Sequence, residues 1–240
     1  MNIVSNAVCI CMDIVEMAIN QNAIIENSLI LAKNYLDAQG AMFYWINEDK
    51  RDAFIDLNIN VSKEFIYKYH NLLQDYDPLN VAYFLKSHEN INLLSTCNSE
   101  NQKVSVYKRF ANDCGIDEIL EIVFWRNNHA YAGIAVTNPN DYKKRDESSI
   151  QVLHQILGTS IFELGNIKDN IVKNYLKDLK LTTREIEVCN FITKGYANQD
   201  IAEAMEISLG TVKINANRIF DKLQVDGRLQ LSILLSKVIK

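Results

Sequence analysis

The sequence predicts an α+β chain: an N-terminal domain built on an antiparallel sheet flanked by helices, followed by an all-α domain of four short helices. Strand-like runs rich in aromatic and β-branched residues fall before residue 140 and come in two adjacent pairs. Beyond residue 180, helix-capping residues recur at short intervals, with apolar residues three and four apart between them. Charge divides the same way, since residues 171–240 hold 11 Lys or Arg against 8 Asp or Glu, whereas residues 1–170 hold 14 against 22. The expected boundaries are an N-terminal domain over 1–168, a helical linker over 169–178 and a C-terminal domain over 179–240.

In chain order, amphipathic helices are expected near Val8–Ile19 and Ile24–Leu36, and Ala41–Ile46 reads as a strand by its aromatic and β-branched content. The polar turn Asn47–Asp52 leads into a second strand, Ala53–Asn60. Ser62–Leu73 is expected to be a helix, and Asp77-Pro78 to open another that runs through Phe84, with Asp77 as its cap and Pro78 in its first turn. Val104–Cys114 is a further helix, and Glu118–Arg126 and Tyr131–Thr137 form a hairpin joined by Asn127-Asn128-His129. Asp146 opens a last helix with apolar residues at 153, 157, 161, 164, 167, 171, 175 and 179, a helical spacing that carries it toward the C-terminal domain as a semi-rigid arm. Gly158 and Gly165, seven apart in that helix, would let a partner helix approach and suggest a dimer contact.

Thr182 and Glu185 have the spacing of a capping box, opening a helix that ends at Gly195 and faces inward through Ile186, Val188, Cys189 and Phe191 or Ile192. Asn198 is placed to cap Gln199–Met205, whose inward residues are Ile201, Ala202 and Met205. After the turn Glu206-Ile207, Ser208 caps Leu209–Leu223, with Val212, Ile219 and Leu223 inward. Two helices joined by a tight turn describe a helix-turn-helix, in which the second helix enters the major groove. A final helix, Arg228–Ile239, has the stripe Leu231, Leu234, Leu235 and Val238 and is a second candidate dimer contact.

Leu181-Thr182-x-Arg184-Glu185-x-Glu187-Val188, Gly195-x-x-Asn198-x-x-Ile201-Ala202, Ile207-Ser208-x-x-Thr211-Val212-Lys213 and Lys222-Leu223-x-Val225 together resemble the head of LuxR-type (GerE-like) regulators over about sixty residues. The resemblance implies base-edge contacts from Lys213, Ile214 and Asn217, and phosphate contacts from Arg184, Asn198, Ser208, Thr211, Asn215, Arg218 or Lys222. Side-chain chemistry agrees: Lys and Asn suit base edges, Ile suits a thymine methyl, and hydroxyls beside helix N-termini suit phosphate. Glu206 and Gln224 stand where relatives place Gly, each at a cost on the order of 1 kcal/mol. Asn215 and Asn217 also depart from the family pattern, so the operator sequence is not implied.

The order of the first domain, helix, two strands, helices, two strands, long helix, resembles GAF-type sensor domains and the autoinducer-binding domains of quorum regulators. Asp77-Pro78, preceded by Tyr67, Tyr69 and Tyr76, is similar to the aspartate-proline step of the latter. A sheet flanked by helices can enclose a cavity lined by apolar and aromatic residues with a few polar anchors. Tyr44, Tyr67, Phe84, Trp125 and Tyr131, with Asp77 as anchor, are the candidate lining; the other reading makes them ordinary core residues with Asp77 as a helix cap.

A length of 240 residues with 48% hydrophobic and 23% charged content suits two globular cores. Five scattered cysteines (Cys9, Cys11, Cys97, Cys114, Cys189) suggest reduced thiols in a cytoplasmic protein, and Cys9-x-Cys11 lacks the second pair that a structural zinc site requires. The opening Met1–Ala18 carries Asp13 and Glu16 and lacks the basic start of an export signal. No nucleotide loop, receiver-type acidic pair or Ser/His/Asp grouping is found, and His70, His88, His129 and His154 read as surface or packing residues. The expectation is a non-enzymatic transcription regulator without cofactor or metal. Its expected partners are double-stranded DNA, a second copy of the chain, a small-molecule effector and RNA polymerase, with no membrane. Two other readings stay open: a solo regulator without ligand, and an antagonist that traps a related regulator.

Overall fold

A computed structural model describes residues 21–140, 142 and 146–239. The helix expected over Val8–Ile19 and the Cys9-x-Cys11 pair lie outside the described residues. The chain divides into two compact units, Met1–Leu164 and Gly165–Lys240.

In the first unit, α1 (residues 21–35) buries Ile25, Leu29 and Ala32. It leads into β1 (Gly40–Asn47) and β2 (Asp52–Ile59), an antiparallel pair. Next come α2 (Lys63–Lys68), α3 (Val81–Ser87), the short β3 (Ile91–Leu93) and α4 (Gln102–Asp113). The unit closes with β4 (Ile119–Arg126), β5 (His129–Thr137) and α5 (Glu147–Phe162). The five strands form one antiparallel sheet in the order β2-β1-β5-β4-β3. Burial follows that order: β4, inside the sheet, is buried on both faces, whereas edge strand β2 alternates exposed and half-buried residues.

The hairpin β4–β5 turns on two residues, because Asn127 and Asn128 both take positive φ, as a two-residue turn with the right twist requires, and His129 already pairs with Arg126. Ser62 caps α2 by accepting from the Phe65 N–H at 3.1 Å, but the helix expected to reach Leu73 widens into a π-turn over Tyr69–Leu73. Asn80, not Asp77, caps α3, accepting from the Tyr83 N–H at 3.0 Å. Pro78 therefore precedes the helix instead of sitting in its first turn. Asp77 serves that preceding turn, its Oδ1 accepting from the Leu79 N–H at 2.9 Å.

One sheet face packs on α5. His154 donates to the Val123 carbonyl at 2.9 Å and stacks on Phe124, and Tyr131 donates to the Gly158 carbonyl at 2.9 Å. A Cβ on Gly158 would meet the Phe124 ring at 3.2 Å, so this glycine serves α5's approach to its own sheet, not to a partner helix. The opposite face holds a second core around Met42, Phe65, Phe84, Tyr107 and Val123.

The single long helix expected beyond Asp146 is two: α5 ends at Phe162, and after Glu163 and Leu164 a separate helix, α6 (Gly165–Asp178), begins the second unit. It buries Ile167, Ile171 and Leu176 and packs against the helices α7 and α10 that follow, so the expected linker is part of the C-terminal unit. The four expected helices come next: α7 (Thr183–Thr193), α8 (Asn198–Ala204), α9 (Leu209–Leu223) and α10 (Arg228–Val238). Cys97, Cys114 and Cys189 form no disulfide. No helix of the described residues is long and apolar enough to cross a membrane.

Candidate nucleic-acid interface and candidate ligand cavity

Local chemistry fixes the C-terminal helices one end at a time. The capping box of α7 is complete: the Glu185 N–H donates to Thr182 Oγ1 at 3.3 Å and the Thr182 N–H to Glu185 Oε2 at 2.7 Å. Gly195 at φ 86° ends α7, with the Tyr196 N–H reaching back to the Phe191 carbonyl. The cap of α8 falls one residue before the expected Asn198, because Asp200 reaches back to the backbone N–H of Ala197 and supplies the closing bond itself. Glu206 takes φ 54° and Gln224 φ 52°, the two left-handed positions that the departures from glycine imply. Ser208 caps α9, accepting from the Thr211 N–H at 3.0 Å.

These turns set α9 with Val212, Ala216, Ile219 and Leu223 inward and a free face of Lys213, Ile214, Asn217 and Arg218. Ile214, an apolar side chain 55% exposed between cationic and amide neighbours, is not explained by packing within the unit. Ser208 and Thr211 are exposed at the N-terminus of the same helix.

Four of the other expected phosphate contacts are held by the unit itself. Asn215 is buried and donates to the Thr211 carbonyl at 3.0 Å. Asn198 accepts from Arg228. Lys222 donates to Glu185 at 2.7 Å and to the Lys180 carbonyl at 2.9 Å. Burial alone would raise the Glu185 pKa, but the bonds from Lys222 and Thr182 outweigh it and hold the carboxyl below its usual range. Arg184 divides its guanidinium between Glu187 and the Met205 carbonyl. Arg184, Asn198 and Lys222 tie separate elements of the unit together, and Asn215 bonds within α9 itself.

In the first unit, the sheet face opposite α5 opens into a cavity of about 470 Å³ inclusive of its mouth. Tyr44, Tyr69, Asp77, Asn80, Tyr107 and Glu121 supply its polar lining, and Met42, Ile55 and Phe65 part of its apolar wall. The Tyr44 hydroxyl donates to Glu121 Oε2 at 2.7 Å and the Tyr69 hydroxyl to Asp77 Oδ2 at 3.0 Å. Burial pushes the Asp77 carboxyl up to about 6. Burial, with the nearby Asp77 charge, pushes Glu121 up to about 8. Among the described residues no group of three or more His, Cys, Asp or Glu could hold a metal.

Of the six expected lining residues, Tyr44 and Asp77 border this cavity. Phe84 is buried in the adjoining core without reaching it. Tyr67 is 69% exposed, because the side of α2 that carries Phe65 faces in and Tyr67 lies two residues around the helix. Tyr131, the extra residue of a bulge in β5, lies on the α5 face of the sheet, and Trp125 donates to the Glu89 carbonyl at 3.3 Å. Sequence reasoning missed Tyr69, Tyr107 and Glu121. The available signal was Glu121 itself, an acid inside the otherwise apolar and aromatic run Ile119–Trp125.

Residues 179–235 match the family described as bacterial regulatory proteins, luxR family. The chain carries a LuxR-family regulatory domain. Over 215 residues it is 25% identical to the "Monoamine regulon transcriptional regulator" of Klebsiella aerogenes, covering 89% of this chain and 91% of that one. It is 40% identical over 76 residues to the response regulator protein VraR of Staphylococcus aureus, but there it spans only 36% of the relative's length. Among solved structures it is similar to "SdiA in complex with octanoyl-rac-glycerol", at TM-score 0.48 and 13% identity over 91% of this chain and 88% of that one. A GAF domain/HD domain protein from Geobacter sulfurreducens gives TM-score 0.47 and 9% identity over 61% of this chain and 93% of that one. The LuxR-family match spans α7 to α9 and most of α10, and so takes in the whole free face of α9.

Proposed function

We propose that the protein is a one-component regulator that binds double-stranded DNA sequence-specifically as a dimer and responds to a small ligand held in the N-terminal cavity. The free face of α9 within a LuxR-family domain carries the reading. Lys213 and Asn217 would read base edges and Ile214 a thymine methyl, while Arg218, Ser208 and Thr211 would meet phosphates. Lys222 would keep α9 in place for those contacts through Glu185 of α7, while Arg184 and Asn198 would hold the neighbouring elements.

The excess of basic residues over 171–240 is only three, which favours two heads acting on one site. Leu229 and Ile233, four apart on α10 and both exposed, are an apolar pair suited to a symmetric contact. The cavity supports ligand control, and the relative named for a monoamine regulon is a regulator matched along nearly its full length.

The test is retention of genomic fragments by the purified full chain at a stated salt concentration, followed by sequencing. Enrichment of one palindromic site supports the reading. Retention without sequence preference, with or without candidate effectors, overturns it.

A further inference from the structure

The cavity of the first unit holds more negative valence than its own walls neutralise. Asp77 is internally satisfied, one carboxylate oxygen accepting from the Leu79 N–H and the other from the Tyr69 hydroxyl. Glu121 is not. It is 7% exposed, Oε2 accepts from Tyr44, and among the described residues no group bonds Oε1. Tyr107, 3% exposed, also lines the cavity, and among the described residues nothing bonds its hydroxyl. No Lys, Arg or His belongs to the described lining. A buried carboxyl without a cation stays protonated or waits for one, because an unpaired charge in a dry site is costly.

We propose that the cavity takes a small organic ligand carrying a protonated amine, its ammonium donating to Glu121 Oε1 and Tyr107 Oη and its apolar body lying against Met42, Ile55 and Phe65. The inference rests on the reading of this cavity as an effector site. The geometry favours an ammonium over a neutral group on two counts. An ammonium has three donors and no acceptor, which suits an open carboxylate oxygen and an open hydroxyl. The aromatic side chains of Tyr44, Tyr69 and Tyr107 line the same cavity, and aromatic rings suit a cation better than a neutral group. A bare divalent ion fits less well: no described cluster supplies three ligating side chains, and both oxygens of Asp77 are already taken.

Binding to the full chain is measured by calorimetry and by the shift in melting temperature, using 2-phenylethylamine, 2-phenylethanol and phenylacetate. Each is run with the unaltered protein, Glu121→Gln and Tyr107→Phe. The expected result is saturable binding of one amine per chain, at least tenfold tighter than the alcohol, with no detectable binding of the carboxylate. Glu121→Gln keeps the side chain's shape and should erase the preference for amine over alcohol, and Tyr107→Phe should narrow it by several-fold. The second variant decides the matter if the first does not fold. Equal affinity for amine and alcohol overturns the ammonium assignment while leaving a ligand cavity in place. A preference that survives Glu121→Gln moves the amine elsewhere and overturns it as well. Failure of all three probes to bind overturns both the assignment and the effector reading beneath it.

Discussion

Lys213, Ile214 and Asn217 share the free face of α9 with Arg218, and among the described residues the packing of the unit explains none of their side chains. A base-reading side chain and a phosphate-binding one separate in an experiment. Asn217→Ala or Lys213→Ala should cost roughly 1 to 3 kcal/mol on the preferred site and relax its sequence, whereas Arg218→Ala should weaken all sequences alike and flatten the salt dependence. Titration of specific and scrambled duplexes at several salt concentrations reads both, and equal losses on the two duplexes would remove Asn217 from base reading. Glu121 gives a prediction of a different kind. Its folded pKa, raised to about 8, means that the folded state keeps a proton that the unfolded chain has lost by about pH 5. The sign follows: stability falls as pH rises from about 4.5 toward 8, and Asp77, raised to about 6, adds to the lower part of that fall. Glu121→Gln should therefore raise the melting temperature more at pH 8 than at pH 5, by an amount on the order of 3 kcal/mol in stability. A melting curve with the same pH slope in wild type and variant would remove the buried acid from the account.

Element ends were the most legible part of the sequence, because a cap is decided within four residues. Thr182 with Glu185, Ser208, Gly195 and the two left-handed positions Glu206 and Gln224 are all local signals, and the structure uses each one. The exceptions were also local: Asp200 and Asn80 outcompeted Asn198 and Asp77 as helix starters by reaching the relevant N–H groups better. Cavity lining was much less legible. It depends on which sheet face a residue takes, and the bulges that leave Asp56 of β2 and Tyr131 of β5 without a cross-strand partner shift that alternation within those two strands. Three-residue β3 has no periodicity to read. Gly133 shows how tightly the lining is set, since a Cβ there would fall 2.3 Å from the Tyr44 ring. Gly133→Ala should displace Tyr44 from Glu121 and cost roughly 1 to 3 kcal/mol by overpacking. Chemical denaturation checks the cost; loss of 2-phenylethylamine binding checks the displacement, and an unchanged variant would show that the ring has room to move.

For the whole molecule, the proposed dimer raises the question of how two modest heads would produce one specific contact. A single head offers few free cations, so its affinity should be low and only shallowly salt-dependent, and joining two heads multiplies occupancy when the half-sites lie about one helical turn, ~34 Å, apart. The break between α5 and α6 removes the continuous arm from one unit to the other that the apolar spacing suggests, and Gly158 is spent on the sheet. That shifts the expected dimer contact to exposed apolar pairs: Leu229 with Ile233 on α10, and Val152 with Ile156 on α5. Leu229 is 75% exposed, which a head acting alone does not require. Replacing both Leu229 and Ile233 with Glu should leave α10 folded, since its buried stripe is Leu231, Leu235 and Val238. The head pair should then separate. Binding to a palindromic site should fall by two orders of magnitude or more while the weak half-site affinity is retained, because the second head no longer arrives at high effective concentration. Sedimentation of the free and DNA-bound chain distinguishes the faces: a variant that remains dimeric in solution yet loses the palindrome assigns α10 to pairing on DNA and the α5 face to the standing dimer.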